Sequence, residues 1–202
     1  GDLIGTLLNW SDEVNDEIKE SKKNVLLETY FNKVEEQESS VTNLKNFLSK
    51  PHGYTLFNKI IQILDDNPPD LNLIEILSNT IKYIISKGDY KYYFEEHKYA
   101  LSQIETLPIQ SLLILVDSKN YPQFKGLSGM YNGKFYTGEW AKEFSQQYIA
   151  SKGITDIKIV NRVEHSVKRL ISDGYIIAIE DNGKLRCVLT HIGLELAKYI
   201  TN

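Results

Sequence analysis

The chain has 202 residues, 42% of them hydrophobic and 25% charged, with a net charge of -4 at pH 7. That is ordinary globular composition and enough length for one large domain or two small ones. The single cysteine, Cys187, excludes an internal disulfide and a thiolate metal cluster. The longest aliphatic run, Leu112 to Val116, is far short of a membrane span. No basic segment leading into an apolar one opens the chain, so a reducing, cytoplasmic setting is the expectation. The start at Gly1 rather than methionine suggests a trimmed or tagged beginning. Charge is uneven: residues 139–202 carry nine Lys/Arg against eight Asp/Glu, and the remainder fourteen against nineteen. A strongly basic nucleic-acid footprint is therefore absent overall, although cations gathered on one face can suffice.

Up to about Ile104 the periodicity is helical. Leu3, Ile4, Leu7 and Leu8 form a first stripe. Ser11 to Leu48 reads as one long charged helix in which Leu27, Val34, Val41 and Leu48 recur every seventh residue. Polar Gln37 and Glu38 interrupt the second seam position, which favours an amphipathic helix packed on its own domain over a dimerising coil. Pro51-His52-Gly53-Tyr54 reads as a break. A short helix follows with Leu56, Phe57, Ile60, Ile61 and Leu64 buried, stopped by Pro68-Pro69. Asp70 is placed to cap a helix running to Lys87, which Gly88 closes. Tyr90, Tyr93, Phe94, His97, Leu101 and Ile104 mark one more apolar face. Residues 1–104 are thus expected to form a bundle of about four helices, serving dimerisation or sensing.

Residues 105–202 have a different organisation. Pro108 suits the first turn of a helix through Ser118. Lys119 to Thr137 is a long aperiodic loop rich in Gly, Tyr and Asn, with a short strand expected at Phe135 to Thr137. Thr137 is placed to cap a helix with Ala141, Phe144, Tyr148 and Ile149 inside and Gly153 as its stop. A second helix, Ile157 to Ser172, buries Val163, Val167, Leu170 and Ile171. Two β-rich runs then flank Asn182-Gly183, a dipeptide suited to a two-residue hairpin turn. The last helix is entered through Thr190.

That order, with "VKRLISDGYI" running into the hairpin and "LTHIGLELAKYI" closing it, resembles a winged helix-turn-helix of the MarR-type bacterial regulators. The resemblance covers about Leu107 to Asn202. It implies a mainly α protein: an N-terminal helical bundle, then a three-helix core with a two-stranded β-wing. It also implies double-stranded DNA as partner, transcription regulation as role and a homodimer as the acting form. The layout of a helical body before such a wing is similar to the bacterial abortive-infection alpha family. That likeness implies the rival role, a phage-defence or interaction protein whose winged helix contacts protein.

If the chain reads DNA, the helix Ile157 to Ser172 enters the major groove. Arg162, His165, Ser166 and Arg169 follow at spacings of three and four opposite its buried stripe, and these side-chain types pair with base edges. Asn161, Lys158 and Lys168 flank them and suit phosphates, while Lys184 and Arg186 on the wing suit phosphates or the minor groove. Exposed helix faces are charged in any case, and Glu164 and Asp173 stand among these cations. His97 is expected as a hydrogen-bonded boundary histidine, His191 as a surface residue, and Tyr92 and Tyr99 as edge or surface residues beside a packed Tyr90-Tyr93-Phe94 set. The sequence contains no HExxH, nucleophile elbow, phosphate-loop pattern or Cys–His pairing, so neither catalysis nor a cofactor is expected.

Overall fold

The computed structural model describes residues 2–34, 37–125, 140–181 and 184–201. Among them are nine α-helices and three short strands. The chain divides into two compact units, Gly1–Glu105 with Tyr199–Asn202, and Thr106–Lys198.

The first unit contains α1 (Asp2–Asn32), α2 (Gln37–Ser49), α3 (Pro51–Asp65), α4 (Leu71–Lys87) and nearly all of α5 (Phe94–Thr106). The segment read as one helix from Ser11 to Leu48 is two, α1 and α2. Leu26, Tyr30, Leu44 and Phe47 are buried, whereas Val41, in the seven-residue row, is 39% exposed. Helix α1 packs on α3 and α4 of its own unit, so the amphipathic reading holds for it.

Pro51 to Tyr54 is not a break but the opening of α3. Pro51 occupies the first turn, where its missing N–H costs nothing. Gly53 is buried where a Cβ would stand 2.1 Å from the Phe47 carbonyl oxygen, so only glycine lets α2 turn this tightly into α3. The end of α3 is met by Lys22 of α1. Its buried ammonium donates to the carbonyls of Leu64, Asp65 and Asn67 at 2.9, 3.2 and 3.0 Å, a cation placed at the negative end of a helix dipole. Asp70 caps α4 as expected, accepting from the amides of Asn72 and Leu73.

The last residues of the chain complete this unit. Helix α9 (His191–Ile200) leaves two terminal carbonyls without helical partners, and α4 supplies them. Asn79 donates to the Ile200 carbonyl at 3.1 Å, and the Thr80 hydroxyl is shared between the carbonyls of Ile76 and Tyr199, at 2.9 and 3.2 Å. The Tyr199 ring packs on Tyr83, and its hydroxyl donates to Glu96 at 3.2 Å. With that proton used, the 2.8 Å bond between Tyr199 and His97 is donated by His97 Nδ1. Nε2 is then an unprotonated, buried nitrogen without a partner among the described residues. His97 is fully buried rather than at the boundary.

The second unit runs through α6 (Ile109–Val116), β1 (Gln123–Phe124), α7 (Trp140–Ser151), α8 (Ile157–Ser172), β2 (Ile176–Asp181), β3 (Lys184–Leu189) and the body of α9. The sheet is antiparallel in the order β1-β3-β2, with three strands rather than the expected two. Its third strand lies in the first part of the segment read as a long loop, where Gln123 faces Arg186 and Phe124 faces Leu185. The strand expected at Phe135 to Thr137, the Thr137 cap and the Asn182-Gly183 turn fall outside the described residues. Phe124, Phe144, Val163, Val167, Leu170, Ile176 and Cys187 are core residues here. Tyr121 donates to the Ile114 carbonyl at 2.9 Å and sets its ring edge-on to Phe144, which fixes β1 between α6 and α7.

The buried histidine makes stability depend on pH. Burial holds the His97 pKa below the ordinary 6.5; Glu96 pulls it up, Lys87 pulls it down, and burial wins. The unfolded chain therefore takes up a proton that the fold refuses. Stability should be full above neutrality and fall as pH drops below 6.5, with a slope of up to about 1.4 kcal/mol per pH unit. Urea unfolding at a series of pH values measures this slope, and His97→Gln, which keeps a donor for Tyr199, should flatten it.

Candidate nucleic-acid interface

Helix α8 is the most sharply two-sided element of the second unit. Asp156 starts it by accepting from the Lys158 amide at 2.8 Å. Val163, Ser166, Val167 and Leu170 are buried along one side, against α6 and α7. At about 100° per residue, the opposite side carries, in order around the helix, Ile157, Lys168, Asn161, Ser172, His165, Lys158, Arg169 and Arg162. Of these only Arg169 is part-covered; the others are exposed. Within its sixteen residues α8 holds four Lys/Arg and a single carboxylate, Glu164.

Asn161, Arg162, His165 and Lys168 are brought together on this face. Ser166 is not. It is 2% exposed, because it lies about 40° beyond Arg162, already under the packing surface, and it cannot meet a ligand. Arg169 is on the face but committed: Nε pairs with Asp173 at 3.3 Å, and a terminal nitrogen donates to the Thr106 carbonyl at 3.1 Å. Arg162 folds back, its Nε 3.4 Å from the Lys158 carbonyl. Asn161, His165 and Lys168 have no side-chain hydrogen bond or ion pair among the described residues. Ile157, 66% exposed, escaped the sequence reading because an apolar residue just after a cap looks like the start of the buried stripe.

The hairpin adds a second surface, in which two cations stand beside aliphatic side chains. Strand partners share a face, so Lys184, Arg186 and Val188, alternate residues of β3, stand on the side of Ile179 and Ile177. Lys184 and Arg186 are exposed, and Cys187, next after Arg186, faces the core, where burial pushes its thiol pKa up. No hydrogen bond or ion pair joins this pair of cations to the α8 face among the described residues. His191 is exposed at the start of α9, as expected. Among the described residues no cluster of three or more His, Cys, Asp or Glu is placed to hold a metal ion, and no single helix is long and apolar enough to cross a membrane.

What holds α8 and the hairpin in register is main chain. Gly174, at φ 78°, takes the left-handed conformation that ends α8. Its N–H donates to the Ile171 carbonyl and that of Tyr175 to the Leu170 carbonyl, at 3.0 and 2.8 Å, the paired closure of a glycine-terminated helix. The Tyr175 carbonyl then accepts from the Thr190 amide at 2.9 Å. Thr190 Oγ1 donates to the Gly174 carbonyl at 2.6 Å and accepts from the Gly193 amide at 3.2 Å. A Cβ at Gly193 would lie 2.2 Å from the Tyr175 oxygen. The Thr and Gly of "LTHIG" are thus both required by this approach.

Comparison of the chain with protein-family models, with curated proteins and with solved structures gives no match. The site therefore rests on its own geometry.

Gly193→Ala should lower stability by about 1–3 kcal/mol, since backbone must move to admit the methyl group. Thr190→Val should cost about 1 kcal/mol through the lost cap. Thermal unfolding of the two variants checks both figures, and the glycine variant should lose more.

Proposed function

We propose that the second unit is a winged helix-turn-helix that binds double-stranded DNA, with α8 in the major groove and the β2–β3 hairpin as its wing. The observation that carries this reading is the exposed face of α8, where cations outnumber carboxylates and Asn161, His165 and Lys168 stand without partners among the described residues. The element order α6-β1-α7-α8-β2-β3-α9, with strand order β1-β3-β2, supports it. A groove-entering helix needs a bare polar side about the width of this one, backed by two helices that hold it. Lys184 and Arg186 on the exposed side of β3 supply charge for phosphate or the minor groove. Two copies related by a two-fold axis would reach successive major grooves, and on this reading the chain is a bacterial transcription regulator acting as a homodimer.

A second reading has its own observation. Ile177, Ile192 and Leu194, on β2 and the opening of α9, are 47%, 43% and 52% exposed. Aliphatic side chains standing free on a hairpin and its following helix suit a protein partner better than DNA, which is the role of an interaction or phage-defence protein.

Fluorescence anisotropy with a labelled mixed-sequence duplex separates the two readings. The DNA reading predicts binding whose affinity falls steeply with added salt. Lys168→Ala and Lys184→Ala should each flatten the salt slope by about one while weakening binding to every sequence alike. Absence of binding at low salt would leave the protein-partner reading in place.

A further inference from the structure

We propose that α8 reads an A·T base pair through Asn161 and Ile157 together, and that its arginines do not supply the main base contact. The inference rests on the DNA-binding reading and names what that site selects. Side chains that read bases stand on the exposed face in the first turns of the helix and must be free to leave it. The arginines are poorly placed for this. Arg162 stands at the flank beside buried Ser166 and lies against its own helix, and Arg169 is held by Asp173 and the Thr106 carbonyl near the helix end. Asn161 stands inside the exposed arc in the first turns, and Ile157, at the edge of that arc, lies four residues before it and so on the adjoining turn.

Their chemistry is complementary to one base pair. The Asn161 amide offers an acceptor and a donor side by side, which match the N6 amino group and N7 of adenine. Asn161 is exposed, with both groups uncommitted among the described residues. Ile157 is an aliphatic group that is 66% exposed at the start of a helix. The major-groove edge of A·T presents one apolar group, the thymine C5-methyl, which a neighbouring aliphatic side chain covers. A·T is the pair that satisfies both residues, whereas G·C offers neither the amino donor beside N7 nor the methyl. His165, next on this face, extends the contact by one base step.

The full chain is first used to select its preferred site from a random duplex library. In that site each thymine is then replaced by uracil, which removes only the methyl group, and each adenine by 7-deazaadenine, which removes only N7. One uracil and one 7-deazaadenine at the same base pair should each weaken wild-type binding, the latter by about tenfold. Ile157→Ala should no longer distinguish thymine from uracil there, and Asn161→Ala should no longer distinguish adenine from its deaza analogue. Both positions are exposed, so both variants should keep the wild-type circular dichroism. Selective binding in which neither variant changes its response at any A·T pair overturns the inference and leaves the DNA reading standing. So does binding without sequence preference. No binding at low salt overturns both.

Discussion

The main chain of Tyr175 is the point on which the second unit turns. Its N–H closes the end of α8, and its carbonyl receives the entry of α9. Between those two bonds the chain leaves α8, makes the whole hairpin and returns. The strands are short, and short hairpins hold their shape poorly on their own. Here both ends of the hairpin are pinned to one peptide, and β1 pairs along its free edge. The position of the hairpin relative to α8 is therefore a matter of backbone geometry, and the residues that secure it are those that do least with side chains: Gly174 with its positive φ, and Gly193 with no Cβ at all.

Side-chain chemistry governs the other half of the site. Packing consumes one arc of α8 completely, and the helix closures consume Asp156 and Asp173, leaving an arc that is polar and cationic. Within that arc commitment differs from residue to residue. Charge alone would rank the arginines first. The two bonds of Arg169, to a carboxylate and to a carbonyl, fix the direction of its guanidinium, whereas Asn161 has no such tie among the described residues.

Much of this was legible in the sequence because it is written in local periodicity. The bounds of α8, the cap at Asp70 and the turn at Gly88 each follow from a few adjacent residues. Ser166 was misplaced because a spacing of four from Arg162 carries it about 40° around the helix, enough to cross from the exposed arc to the buried one. Strand β1 has two residues, too few for an alternation to register. Pro51 and Gly53 read as punctuation, yet one serves a helix start and the other a close crossing, uses that depend on where the Phe47 carbonyl lies. The bonds from Asn79 and Thr80 to the last residues span 121 and 119 positions, and no local pattern announces them.

Those long-range bonds bear on the order in which the protein is made. Helices α1 to α5 leave the ribosome before α6 to α9, with Asn79 of α4 already carrying a side-chain donor for a carbonyl that does not yet exist. Everything in residues 106–198 is translated before Tyr199 and Ile200 arrive. Until then His97 has no hydroxyl to bond and Tyr83 no ring to pack against. The unit whose helices are made earlier is thus completed only after the other, and until then it is a bundle with an unfilled seat.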